Sequence, residues 1–366
     1  MEQTTPKTDQ VIVAMSGGVD SAVSAYLLAQ QGFEVLAIFM KNWEEDDTSV
    51  YCSATEDLED AQRACDLLNI ELRTVNFASE YWDNVFERFI ADYKKGWTPN
   101  PDVTCNKEIK FDVFLEYALS FGAPSIATGH YAGCDKVDGT YRLVRSKDRT
   151  KDQTYFLYSL GQKQLAQTMF PLANFQKDEV RKIARHIGLR NSEKPDSTGI
   201  CFIGERPFRQ FLERYLPQTP GEIESESGIK LGTHVGLAFY TLGQRQGLGI
   251  GGIAGGSGKP WYVMRKDFQR NVLLVTQGRE HPQLYGQRLI IAECNWISGF
   301  EPYSSFLASG RLRHGQQDQL CEVKPQGSEL FEVIFDQPQW APTLGQSVVL
   351  YKGYECLGGG IIHQVL

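Results

Sequence analysis

The sequence predicts a mixed α/β protein: an N-terminal parallel-sheet, Rossmann-like domain, then a small central domain and a C-terminal antiparallel β-barrel. Three observations carry this. Short apolar runs alternate with helical patterns through the first half, a Ser/Gly turn follows the first run, and the rhythm changes beyond Gly221. Of the 35 glycines, 12 fall in the first 215 residues and the rest in the last 151, which places a boundary near 206–220. The domains expected are 1–208, 209–280 and 281–366.

Val11–Met15 reads as a strand and Ser21–Gln31 as a helix; Val35–Met40 is the next strand. A helix opened by the Ser53/Glu56 capping-box pair then places Leu58, Ala61, Cys65 and Leu68 on one face. Leu72–Phe77 reads as strand, Trp82–Lys95 as helix (Val85, Phe86, Phe89, Ile90, Tyr93), Phe111–Phe121 as helix and Ser125–Tyr131 as strand. Asp178–Gly188 is one more amphipathic helix, with Val180, Ile183, Ala184 and Ile187 opposite Arg181, Lys182 and Arg185. Beyond it come short Val/Tyr/Phe/Ile segments bounded by Gly and Pro: Tyr262–Met264, Val272–Thr276, Leu289–Cys294, Phe331–Phe335 and Ser347–Tyr351. They read as antiparallel strands.

Composition excludes several classes of protein. With 42% hydrophobic and 22% charged residues among 366, disorder is disfavoured, and no apolar run exceeds the six residues 35–40, too few to span a membrane. The polar start lacks a secretory or transit pattern, so a cytoplasmic location is expected. A net charge of −8 argues against a coat of positive charge for non-specific nucleic-acid binding but leaves room for a local basic face, and no DNA partner is expected. The eight cysteines are too sparse for a disulfide scaffold, and no two lie within four positions, so no metal site is expected of them.

Ser16-Gly17-Gly18-Val19-Asp20-Ser21 joins the first strand to the first helix. A Gly-Gly turn at a helix N-terminus offers backbone N–H groups and the helix dipole to an anion, and phosphate is the natural occupant. Ser16 and Ser21 can donate hydroxyl hydrogen bonds, and Asp20 could hold a Mg²⁺. No Walker pattern fits. Gly247-x-Gly249-x-x-Gly252 formally matches a dinucleotide fingerprint, but Gly255, Gly256, Gly258 and Pro260 follow where a helix is required, so a ligand-ordered loop is the better reading.

Two polar segments carry cysteines that do not sit on apolar stripes. Thr98 to Asn106 has two prolines and reads as a rigid loop, with Asp102 and Cys105 near enough to meet one ligand. Asp196 to Phe202 is a second, ending at Cys201. Cys65, Cys294 and Cys321 read instead as small buried hydrophobes.

Together SGGVDS, TPNPDVTCN, DQTYFLY (152–158), DSTGICFIG (196–204), YTLGQRQGLGIGG (240–252) and YKGYECLGGG (351–360) resemble the bacterial tRNA-specific 2-thiouridylases, members of the PP-loop ATP pyrophosphatase superfamily. The resemblance runs in order from about Val11 to Ile362, with Ala14 a departure where Gly is common. It implies ATP- and Mg²⁺-dependent replacement of the C2 oxygen of a tRNA wobble uridine by sulfur. It implies nucleotide contacts at Ala14, Met15, Ser16, Gly17, Gly18, Val19, Asp20, Ser21, Met40 and Gly129, and makes Cys201 the persulfide carrier, Cys105 its nucleophilic partner and Asp102 the general acid/base. Asn100 and Pro101 would hold the target base with Asp102, and Lys151, Asp152, Gln153, Arg313 and His314 would touch tRNA. The partners implied are tRNA and a sulfur-donor protein of a persulfide relay. On charge alone, Arg142, Arg145, Lys147, Arg149 and Lys151 read as a phosphate-contacting run, which the basic helix face at 181–185 would extend. Two other readings stay open: a related pyrophosphatase that transfers nitrogen, and a non-catalytic RNA-binding or sulfur-carrier protein.

Overall fold

The computed structural model describes residues 10–44, 53–196, 208–251, 258–327 and 329–366. Five parallel strands, β1 (Gln10–Met15), β2 (Glu34–Lys41), β3 (Glu71–Asn76), β4 (Ser125–Ala127) and β7 (Thr168–Met169), form a sheet in the order β3-β2-β1-β4-β7. β1 is central, and Val11 to Val13 are wholly buried because helices cover both faces of the sheet. Those helices are α1 (Val19–Gln30), α2 (Ser53–Leu68), a segment over 78–94 (α3), one over 101–120 (α4), and α7 (Lys177–His186). The expected inward faces are inward: Ala61 and Cys65 of α2, Val85, Phe86, Phe89, Ile90 and Tyr93 of α3, and Val180 and Ala184 of α7. Strand order reverses between β1 and β4, which opens a crevice at their carboxyl ends.

Three local expectations are corrected. Residues 98–106 are not a loop throughout: Pro101–Cys105 is helical and runs into π-helical Asn106–Val113 and α-helical Phe114–Ser120. Proline at the first helical position forfeits no hydrogen bond and presets φ, so Pro101 opens the helix while the Asn100 side chain accepts from the Asp102 N–H. The strand at 125 ends at Ala127, and a hairpin follows, β5 (Ala132–Val137) and β6 (Thr140–Arg145). In the central sheet, ordered β10-β11-β8-β9, β11 (Val272–Gln277) runs parallel to β8 (Gly221–Ser225) and not antiparallel. Its other two members are β9 (Lys230–His234) and β10 (Trp261–Asp267).

The last sheet is a closed antiparallel barrel. β12 (Tyr285–Trp296), β15 (Phe331–Trp340), β14 (Gln319–Pro325), β13 (Phe306–Arg311), β16 (Ser347–Lys352) and β17 (Glu355–Val365) pair in that order, and β12 closes onto β17. The β5–β6 hairpin adds to its outside through Glu355↔Val144 and Cys356↔Leu143. A strand pair from the first part of the chain therefore belongs to the barrel's sheet.

A short helix, α5 (Thr154–Leu157), lies at this seam. The Tyr155 hydroxyl, fully buried, donates toward Leu312 O at 3.0 Å and Ser347 O at 3.1 Å, both on the barrel. Tyr155→Phe strands those carbonyls and should cost about 1–3 kcal/mol, read as a lower urea midpoint; an unchanged midpoint would show that the hydroxyl does not hold the seam.

Candidate nucleotide and base-modification site

The glycine turn sits at the crevice. Gly17 adopts φ +76°, and a Cβ there would collide with the Asp57 carbonyl of α2. Gly18 is the N-cap of α1 without a side-chain cap, so no side chain competes for the first-turn N–H groups. Ser16 and Ser21 pair through their hydroxyls at 3.2 Å, and Ser21 Oγ also donates to Gly18 O at 3.0 Å. Gly129 closes the other side, since a Cβ would lie 2.8 Å from Ser21 N. Ala14 and Met15 end β1 and Met40 lies near the end of β2, beside them through Met15↔Phe39. These groups suit a run of phosphates.

Asp20 is not an open metal ligand. Lys177 Nζ donates to both its oxygens at 2.8 Å and Tyr131 OH to Oδ1 at 3.0 Å. Burial, then the Asp20 carboxylate, pushes the Tyr131 hydroxyl far above its ordinary value, so it stays protonated and donates. Among the described residues no cluster of three or more His, Cys, Asp or Glu side chains could hold a metal. Lys177 reaches Asp196 Oδ1 at 2.6 Å as well, and Lys151 meets Asp196 Oδ2 at 2.6 Å. Burial would raise the Asp196 carboxyl, but hydrogen bonds from Lys151 and Lys177 outweigh it and hold it below the usual carboxylate range. The segment before Asp196 also lies over the turn: Asn191 Nδ2 donates to Gly17 O at 2.8 Å, and Lys194 pairs with Asp57 and Asp60 of α2. Cys201 and residues 197–207 lie outside the described residues.

A second set gathers around α4. Asp102 is half-buried at its first turn, whereas Cys105 is 1% exposed within the main apolar cluster, more buried than its polar neighbours suggested. Asn106 Nδ2 donates to Phe156 O at 3.1 Å, which fixes α4 against the DQTYFLY segment. His314 Nε2 lies 3.0 Å from Asp152 O and its ring 4.7 Å from that of Phe156. Gln153 and Tyr131 exchange two hydrogen bonds of 2.8 Å, so 151–153 link both sets. The Asp152 side chain does not face solvent: it is 2% exposed and accepts from Ser146 N and Thr154 Oγ1. Nor is most of the run 142–151 a free phosphate surface; of its cations, only exposed Arg149 has no carboxylate partner among the described residues. Arg142 pairs with Asp135, Arg145 is enclosed against Asp318 and the Tyr351 ring, Lys147 pairs with Glu179, and Arg149 stacks on Tyr354. On α7, Arg181 and Arg185 both meet Glu193. Cys65, Cys294 and Cys321 fit the core reading, with burial pushing each thiol up to about 12.

The residues just before α4 are held by all three parts of the chain. Thr98 N donates to Leu344 O at 2.9 Å and Gln346 Nε2 to Thr98 O at 2.6 Å. Thr241 Oγ1 meets Thr98 Oγ1 at 3.1 Å, and Lys266 Nζ donates to Gly96 O at 2.9 Å. Sequence reasoning missed Lys177, Tyr131 and Gln346, because each acts through a partner more than 100 residues away.

Parallel-sheet topology, a phosphate-shaped turn at the strand switch and two appended β modules define a class of nucleotide-binding α/β protein. Family models match in the same order: the tRNA methyl transferase HUP domain over 9–205, its PRC-barrel domain over 209–277 and the aminomethyltransferase beta-barrel domain over 286–362. Curated relatives named tRNA-specific 2-thiouridylase MnmA match from end to end: 56% identity with that of Idiomarina loihiensis over 97% of this chain and 96% of that one, and 57% with that of Citrobacter koseri over 98% and 97%. The chain belongs to the tRNA-specific 2-thiouridylase family. Among solved structures, a U34-tRNA thiolase from Methanococcus maripaludis is similar at 19% identity and TM-score 0.35 over 53% of this chain and 62% of that one.

Two results are expected. Gly129→Ala should weaken ATP binding at least tenfold by calorimetry, since backbone of α1 cannot yield to the added carbon; wild-type affinity would remove Gly129 from the pocket wall. Because the Asp196 carboxyl is depressed on folding, its stabilisation is fully present above the unfolded pKa of about 4 and is lost progressively as pH falls from there through the lower folded-state value. The melting-temperature gap between wild type and Asp196→Asn should therefore be constant from pH 5 to 7 and narrow progressively as pH falls below about 4; a gap that does not narrow at all between pH 5 and pH 2 would refute the pairing.

Proposed function

We propose that this protein replaces the C2 oxygen of a tRNA wobble uridine by sulfur, consuming ATP. The observation that carries this reading is the junction formed by residues 151–153, which ties the phosphate turn, through Tyr131 and Asp196, to the Asp102–Cys105 helix end, through Phe156. Full-length kinship with proteins named for the reaction supports it.

A uracil C2 carbonyl lies between two nitrogens and is a poor electrophile, so its oxygen must become a leaving group. Attack of that oxygen on the α-phosphate of ATP does this, and pyrophosphate departs into the Ser16–Ser21 turn, where uncapped N–H groups and the dipole of α1 stabilise its charge. Mg²⁺ would enter with the phosphates and offset their charge; Asp20, already bonded to Lys177 and Tyr131, is not an open ligand for it. Asp102, with its backbone N–H fixed by Asn100, stands as the proton donor and acceptor at the base, and Asn100 and Pro101 hold the ring. The target base would leave its stack to enter.

Sulfur arrives as a Cys201 persulfide, loaded by a sulfur-donor protein. Its outer sulfur attacks C2, and AMP leaves with the oxygen. The Cys105 thiolate then displaces the new thiocarbonyl sulfur from Cys201 Sγ, forming a Cys105–Cys201 disulfide that an external thiol reduces by two electrons. Lys151, Gln153, Arg313 and His314 would face tRNA. Asp152 would act from behind, by holding Ser146 and Thr154.

Incubation with unmodified tRNA, ATP, Mg²⁺ and a persulfide source should yield AMP, pyrophosphate and a tRNA retarded in a mercury-containing gel. Cys105→Ala and Cys201→Ala should abolish retardation, and Asp102→Asn should slow it by about 10²–10⁴-fold. Full ATP-dependent turnover by both cysteine variants would favour nitrogen transfer, and no pyrophosphate with any tRNA would favour a binding protein. A methylated, unretarded product would favour the reaction in the family model's description.

A further inference from the structure

Most of the linear basic run is neutralised by nearby carboxylates, Arg149 excepted, yet a tRNA substrate needs further cations that are not. Such cations occur at the seam between the central sheet and the barrel. The Trp340 ring near the end of β15 carries two guanidinium groups, Arg279 at 4.5 Å and Arg313 at 4.9 Å from its centroid. Arg279 is exposed on the link between β11 and β12, and Arg313 lies between β13 and β14. Among the described residues neither makes an ion pair with a carboxylate. The neighbouring acid, Glu280, faces Lys259, and Arg313 is anchored by one N–H to Ala341 O at 3.0 Å. Gly243 of the glycine-rich stretch lies against the same indole, where a Cβ would fall 2.7 Å from the Trp340 ring, and exposed Arg245 follows two residues later.

We propose that Arg279 and Arg313, spread on Trp340, form a binding site for the tRNA sugar-phosphate backbone that spans the central and C-terminal domains. This rests on the tRNA reading above and adds Arg279, with the central domain, to the surface. Two like charges on one ring repel each other without a counter-charge, and burial together with the Arg279 charge lowers the proton affinity of Arg313. A phosphate relieves that repulsion. Contact with the indole also restricts both guanidinium groups, so less side-chain freedom is lost when an oxyanion binds. The surface reads charge rather than sequence, in keeping with a protein whose specificity lies in the base pocket.

The test is binding of unmodified tRNA by the full chain, measured by fluorescence anisotropy between 50 and 200 mM salt. Arg279→Glu should weaken binding about tenfold or more at 100 mM salt and flatten the log K against log salt slope by about 0.7–0.9, one lost phosphate contact, with Arg279→Gln between. Calorimetric ATP affinity and melting temperature report that the fold is intact. Wild-type affinity and slope in Arg279→Glu would overturn the assignment, as would an equal loss from Lys147→Glu, whose lysine is already paired. Failure of the unaltered protein to bind any tRNA would instead overturn the functional reading on which this one stands.

Discussion

The structure depends on the placement of one stretch of backbone, residues 96–106, at the meeting of all three parts of the chain. Its amides and carbonyls cannot be satisfied within the first domain alone. Leu344 and Gln346 of the barrel side complete Thr98, and Thr241 and Lys266 of the central part complete Thr98 Oγ1 and Gly96. A buried polar group left unpaired costs about 1–3 kcal/mol, so the three parts settle in the arrangement that pairs them all. The placement of Asp102 and Cys105 thus depends on residues of the central and C-terminal parts of the chain. A thiol held this way needs no strain of its own, because its helix starts where Asn100 and Pro101 start it.

Much of this was legible from residue order. The alternation of apolar runs and helices located the parallel sheet, because a strand buried on both faces must be continuously apolar, as Val11–Met15 is. Ser16–Ser21 was legible as an anion turn because two glycines between a strand and a helix leave the helix's first N–H groups open to a ligand. What failed was the treatment of charge and proline as local signals. Arg142 to Lys151 looks like a surface for phosphate when its partners Asp135, Glu179, Asp196 and Asp318 are not seen beside it. The prolines before Cys105 looked like helix breakers, although at a first turn they are helix starters. The Lys177 bridge was invisible because a lysine opening an amphipathic helix has no pattern that points to a carboxylate 157 residues earlier.

That bridge also separates two roles often merged in phosphate turns. The negative charge of Asp20 is balanced before any nucleotide arrives, so the turn presents a net attractive field to an anion and not a carboxylate to repel it. Lys177 is itself enclosed, with its side chain 10% exposed, and so holds its geometry. The same ammonium fixes Asp196, which places the start of the Cys201 motif next to the phosphate turn.

The β5–β6 hairpin has a consequence for biosynthesis. Its partner strand, β17, begins at Glu355, so β6 waits for more than 200 residues of further synthesis before its edge is covered. Until then the nascent chain exposes an unpaired strand edge with Leu143, a residue that ends fully buried. Premature termination anywhere in the barrel therefore leaves an N-terminal half that is sticky rather than independent, and quality-control proteases should clear such fragments instead of letting them bind substrate unproductively.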